Sequence, residues 1–133
     1  MFDSKIQEQV ENTIIDLIEN HEVGIFYSGG MGEFDKICET AVRKLKRKYM
    51  HIKLYWIAPY FTRKINTAKN MYDKIIIADL TNVHYKKAIT KRNQLMAEKS
   101  DFIICYVIRG WGGAYNMMKY AKNTKASLIN ISL

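Results

Sequence analysis

Val23-Gly24-Ile25-Phe26-Tyr27-Ser28-Gly29-Gly30-Met31-Gly32-Glu33-Phe34-Asp35 is the stretch on which the fold turns. Val23 to Tyr27 is short, apolar and rich in β-favouring residues, the composition of a buried strand. Gly29, Gly30 and Gly32 then interrupt the chain. Beyond them Phe34, Ile37, Ala41, Val42, Leu45 and Tyr49 fall on one face of a helix expected over 33–49. Strand, glycine turn and helix in that order open a βαβ unit, because a parallel neighbour requires a crossover.

The same alternation continues in both directions. Upstream, residues 1–22 read as an N-terminal helix: Ser4 and Gln7 have capping-box spacing, and Ile6, Val10, Ile14, Leu17 and Ile18 form one stripe. Downstream, Ile52 to Pro59 alternates as a strand and ends at the single proline. Residues 61–88 read as an irregular connection, with Ile75-Ile76-Ile77 a candidate short strand inside it. Thr90 is expected to cap a helix over 91–99, and Phe102 to Ile108 reads as a central parallel strand. A second glycine turn, Arg109-Gly110-Trp111-Gly112-Gly113, leads into a helix over 114–123 and a last strand over 127–131. This pattern specifies an α/β fold, a mostly parallel sheet of four to five strands with helices on both faces, in one domain over 1–133.

The composition removes several function classes. The chain has 133 residues, and 21 basic against 13 acidic side chains leave a formal charge of +8. The longest apolar run, seven residues from Phe102 to Ile108, falls far short of the ~20 a spanning helix needs, so no membrane is expected. The first residues lack a secretory pattern, and Cys38 and Cys105 sit in apolar stretches as reduced core thiols would, so a cytoplasmic location is expected. His21, His51 and His84 stand too far apart, and too far from other ligands, for a metal site. No Gly-x-Ser-x-Gly elbow and no phosphate-loop Gly-Lys-Ser/Thr is present. No metal or cofactor is expected.

Chemistry concentrates in the two glycine turns, which hold six of the seven glycines. Both lie between a strand and a helix, at the carboxyl end of the strand where open α/β sheets bind ligands. Glycine admits close approach of backbone to ligand, and the first-turn amides favour a phosphate or carboxylate. Neither turn has Gly-x-Gly-x-x-Gly spacing, so the dinucleotide fingerprint is absent. Arg92, two residues after Thr90, adds a guanidinium suited to phosphate.

The succession Phe26 to Asp35, then Lys91-Arg92-Asn93-Gln94-Leu95-Met96, then Ser100 to Val107, then Trp111-Gly112-Gly113-Ala114 resembles the SLOG superfamily. This is the Rossmann-like fold of the lonely-guy phosphoribohydrolases and of the DNA-processing protein A family, and the likeness is greatest to its small bacterial and phage branch. It covers nearly the whole chain from Val23 onward and implies a Rossmann-like three-layer sandwich. By this resemblance the first glycine turn lines a nucleotide pocket and Arg92 contacts the nucleotide. The turn at Trp111-Gly112-Gly113 stands where the hydrolases carry Pro-Gly-Gly-x-Gly-Thr-x-x-Glu. Two departures favour binding over hydrolysis. The catalytic glutamate of that motif would fall near Asn116 or Met117, which cannot ionise. The family's first strand is missing ahead of the N-terminal helix, so the pocket is expected to be open on one side or completed by a second subunit.

Three functions follow, in descending order. The first is a binding protein for an anionic nucleotide-like molecule, of ADP-ribose or cyclic ADP-ribose type, acting as a homo-oligomeric sensor or sequestering protein in a bacterial or phage defence system. Its expected ligand residues are Tyr27, Ser28, Gly29, Gly30, Gly32, Glu33, Asp35, Tyr60, Arg92, Asn93, Arg109, Gly110, Trp111, Gly112 and Gly113. Tyr27, Tyr60 and Trp111 would stack on the ring, and Glu33 and Asp35 would accept from ribose hydroxyls. The second is a nucleotide phosphoribohydrolase or nucleosidase in which Glu33 or Asp35 replaces the missing glutamate. The third, nucleic-acid binding, has the positive charge in its favour but no aromatic-interleaved basic groove and no helix-turn-helix. Of the five arginines, Arg92 and Arg109 adjoin the expected pocket, while most of the remaining charge is a solvated helix back.

Overall fold

The computed structural model of the chain describes residues 2–78 and 83–132. The first helix, α1, spans Ser4–His21 and buries Val10, Ile14, Leu17 and Ile18. Its cap is Asp3 and not Ser4: the Asp3 carboxylate accepts from the Ile6 amide at 3.1 Å. Both residue types cap helices, but Asp3 also sets a negative charge at the positive end of the helix dipole.

The order then runs β1 Ile25–Ser28, α2 Gly32–Leu45, β2 Lys53–Ala58, α3 Arg63–Ala68, a 3-10 turn Lys69–Met71, and β3 Lys74–Ile77. It continues with α4 Tyr85–Lys99, β4 Phe102–Cys105, α5 Gly113–Ala121 and β5 Ser127–Asn130. Among the described residues the strand pairings are parallel, Phe26 lying opposite Leu54, Trp56 opposite Ile75 and Cys105 opposite Asn130. Among the described residues five strands form two sheets, β1-β2-β3 and β4-β5. A common apolar layer joins them. Val10, Ile14, Val42, Ile52 and Leu54 are buried there, with Ile104 and Ile129 packing against them from β4 and β5. Burying each such side chain contributes roughly 1.5–3 kcal/mol. A smaller cluster of Trp56, Ala58, Ile65 and Ala68 seats α3 on the same side. Helices α4 and α5 pack on one another and on β2 and β4 from the other side. The chain is thus α/β, a Rossmann-like sandwich with helices on both faces.

Three expectations are corrected. The irregular connection over 61–88 holds α3, the 3-10 turn, β3 and the start of α4, and residues 79–82 of it lie outside the described residues. Helix α3 is too short to show a periodic stripe; only Ile65 and Ala68 are buried in it. Thr90 lies inside α4, which starts at Tyr85. Among the described residues α4 buries Ala88, Arg92 and Ala97, so its buried positions are two small apolar residues and one charged one. That face carries no hydrophobic pattern to read. Finally, the strand expected over 102–108 ends at Cys105, and Ile108 is 73% exposed. Beyond Cys105 the backbone of Val107 is taken by the side chain of Asn130. Its Nδ2 donates to the Val107 carbonyl at 3.0 Å, and its Oδ1 accepts from the Val107 amide at 3.1 Å.

Candidate functional site

The first glycine turn is closed on itself. The Ser28 hydroxyl, at the buried end of β1, donates to Glu39 Oε2 and accepts from the Gly30 amide at 3.0 Å. The Met31 amide donates to Asp35 Oδ2 at 2.9 Å. Two amides that could cradle an anion at the start of α2 are therefore engaged by the chain's own oxygens. The Gly29 carbonyl accepts from Trp56 Nε1 at 3.1 Å and from Arg92 Nη1 at 2.8 Å. Gly30 has φ 67°, and a Cβ there would stand 2.6 Å from Trp56 Nε1. Only glycine fits such a position.

Arg92 is 2% exposed. Besides the Gly29 contact, its Nη1 donates to the Ile57 carbonyl at 2.8 Å and its Nε to Asn93 Oδ1 at 2.9 Å. Burial lowers its pKa, with the charge of Asp35 pulling the other way. The guanidinium lies beneath the turn and ties β1, β2 and α4 together.

Behind this turn Glu39 is almost fully buried and accepts from three donors, Ser28, Tyr72 at 2.9 Å and Arg43 at 3.2 Å. Burial and the Glu39 hydrogen bond push the Tyr72 hydroxyl up to about 12. Burial, then the charges of Asp35 and Glu39, push the Cys38 thiol up to about 12, so it is no nucleophile at neutral pH. Burial also raises the Asp35 carboxyl above its ordinary range.

The second glycine turn is open. A cleft of about 450 Å³ lies beyond the carboxyl end of β4, lined by Arg109, Trp111, Gly112 and Gly113 together with Phe2 and Tyr106. Arg109 lies over the Trp111 ring, 4.2 Å from its centroid, and Trp111 is 66% exposed. Gly112, with φ 96°, turns the chain into α5, whose first turn carries no acidic residue. The Asn116 backbone N–H donates to the Gly112 carbonyl at 3.0 Å. Part of the lining is an aromatic cluster: Phe2 meets Tyr106 edge-on with centroids 4.9 Å apart, and Phe34 packs on both.

The expected ligand residues are thus divided. Arg109, Trp111, Gly112 and Gly113 wall the cleft, and Gly110 lies between them in the same turn. Ser28, Gly29, Gly30, Asp35, Arg92 and Asn93 belong to the closed first turn, and Gly32 begins α2 with φ 83°. Tyr27 packs on Tyr55 and lines a separate groove of about 580 Å³ between β1 and β4. Glu33 borders a shallow hollow beside α1, and Tyr60 is exposed after β2. Phe2, Tyr106 and Asn130 were not legible as site residues. Phe2 precedes any periodic pattern, Tyr106 sits in a run that reads as strand, and Asn130 acts through a hydrogen bond across the sheet.

Among the described residues no His/Cys/Asp/Glu group could hold a metal ion, and no helix is long and apolar enough to cross a membrane. No curated protein matches the chain. The sequence profile of the YspA SLOG family (YpsA) matches residues 3–129. That match covers most of the α/β sandwich and both glycine turns, so the chain belongs to the SLOG family, which ties it to nucleotide-related binding or processing.

Proposed function

We propose that the chain binds a nucleotide or a nucleotide-derived signal of ADP-ribose type at the second glycine turn, as a sensor or sequestering protein. The observation that carries this reading is the cleft at Trp111-Gly112-Gly113. It joins the exposed start of a helix, a guanidinium and an aromatic wall in one concavity. Such a mixture suits an anionic ligand with a planar ring. The first turn supports the site indirectly, since α2 places Phe34 against Tyr106. Homo-oligomerisation and a role in phage defence or counter-defence belong to the same proposal.

A thermal-shift series with AMP, ADP-ribose, NAD and cyclic ADP-ribose tests it. At least one should raise the melting temperature in proportion to the logarithm of its concentration, because ligand that binds only the native state stabilises by mass action. No shift with any of the four at millimolar concentration would remove the reading.

Hydrolysis is the second reading: burial raises the Asp35 carboxyl from its ordinary value, and Asp35 would act on a ligand at the first glycine turn and not in the cleft. Chromatography of AMP incubated with the protein would reveal free base and ribose 5-phosphate, and Asp35→Asn should abolish that turnover.

A further inference from the structure

We infer that Phe2 and Tyr106 form the surface against which the base of the ligand docks, so that they, and not Tyr27 or Tyr60, determine recognition of the ring. This rests on the nucleotide-binding reading above. Two unlike groups of residues line the cleft. One is the turn of Arg109, Trp111 and the glycines, which offers a cation and backbone amides. The other is Phe2 and Tyr106, both half-buried, meeting edge-on at 4.9 Å. Phe34 supports them from behind, 5.7 Å from Phe2 and 6.0 Å from Tyr106.

Apart from the Tyr106 hydroxyl, that second group offers a polar ligand end no partner, whereas a planar ring gains from both of its rings. Aromatic surfaces take bases through their π-faces without needing a particular hydrogen-bond pattern. The two groups therefore set an orientation, with the base towards Phe2 and Tyr106 and the charged end towards Arg109 and the glycines. Tyr27 and Tyr60 do not line this cleft. The wall is drawn from two distant parts of the chain, the lead into α1 and the exit of β4. It is firm because each ring is braced by the other two. The ligand class that fits is a nucleotide whose base contributes much of the affinity.

Intrinsic fluorescence provides a readout at the site, since the protein has two tryptophans and Trp56 is buried while Trp111 is exposed. AMP and ribose 5-phosphate are titrated into the wild-type chain and into Phe2→Leu and Tyr106→Leu. Leucine keeps apolar bulk and removes the π-face. The expected result is AMP binding weakened by about tenfold or more in each variant. Ribose 5-phosphate binding, where measurable, should stay unchanged, and the melting temperatures without ligand should remain near that of the wild type. AMP affinity unchanged in both variants overturns the inference and leaves the nucleotide-binding reading standing. Equal weakening of both ligands also overturns it, because the wall would then not be specific to the base. If a leucine variant melts far below wild type, the paired substitutions Tyr27→Leu and Tyr60→Leu decide: a tenfold loss of AMP binding in either overturns the assignment, and no loss supports it. Wild-type protein that binds neither ligand fails the underlying reading itself.

Discussion

Arg92 Nη1 donates to the carbonyl of Gly29 at 2.8 Å, across 63 positions of sequence. The same nitrogen reaches the Ile57 carbonyl, so one guanidinium joins the carboxyl ends of β1 and β2 from within α4. An arginine that sequence places at a phosphate site is here a clamp beneath the first glycine turn. Its charge is delocalised and its hydrogen-bonding fork is rigid, which suits it to hold two carbonyls at once.

Arg92→Met should accordingly destabilise the fold and not merely weaken a ligand. The Ile57 carbonyl would lose this partner, and the Gly29 carbonyl would keep only Trp56. A buried acceptor without its donor costs about 1–3 kcal/mol, so a loss of about 2–4 kcal/mol is expected in urea unfolding. Arg92→Lys should recover only part of it, since one ammonium cannot reproduce the fork. Unchanged stability in both variants would disprove the clamp.

Gly30→Ala and Gly32→Ala separate strain from collision. Both glycines have positive φ, 67° and 83°. A Cβ at Gly30 meets the Trp56 indole at 2.6 Å, whereas at Gly32 it meets nothing within 4 Å. Gly32→Ala should cost about 1 kcal/mol, the penalty of the left-handed region alone. Gly30→Ala should cost at least twice that, because the indole is held by its bond to Gly29 and cannot swing away freely. Calorimetric melting of the two variants checks the order.

Gly113→Val tests the open turn. A Cβ there meets no protein atom within 4 Å, so the apoprotein should lose no more than about 1 kcal/mol, the propensity cost of a β-branched residue at a helix start. The added methyls stand beside the cleft. Nucleotide-induced stabilisation should vanish, and an undiminished thermal shift would place the ligand elsewhere.

Two carboxylates should respond to pH in opposite senses. Burial alone would raise Asp73, but hydrogen bonds from Lys46 and the Leu54 amide, with the charges of Lys46 and Lys53, leave it below its ordinary 3.8. Its stabilising share is present above 3.8 and is lost as pH falls through the lower folded value. Asp73→Asn should flatten that acid limb and cost no more than about 1 kcal/mol at neutral pH, as for other exposed pairs. Asp35 is raised, chiefly by burial. The unfolded chain releases this proton first as pH climbs, so stability falls from 3.8 upward through the raised folded value. Asp35→Asn keeps an acceptor for the Met31 amide and removes that penalty. It should raise the melting temperature at neutral pH by a few degrees, and a lower one would refute the assignment.

The amino-acid order alone determined the layers. Alternating apolar runs and helical stripes need only local periodicity, and those of Ile14, Leu54 and Ile104 translated directly into a parallel α/β core. It also located both glycine turns, because glycine interrupts a strand wherever the backbone must turn sharply. Tertiary structure decided which turn is open. Whether an amide at Gly30 or Met31 is free depends on Ser28 and Asp35, and whether a guanidinium reaches solvent depends on carbonyls 35 and 63 residues away. Short α3 and the polar-faced start of α4 carry too little apolar pattern to be legible. The aromatic wall of the cleft was hidden for a related reason. Phe2, Phe34 and Tyr106 meet only after α1, α2 and β4 have packed, and no local rule of sequence encodes a contact between distant elements.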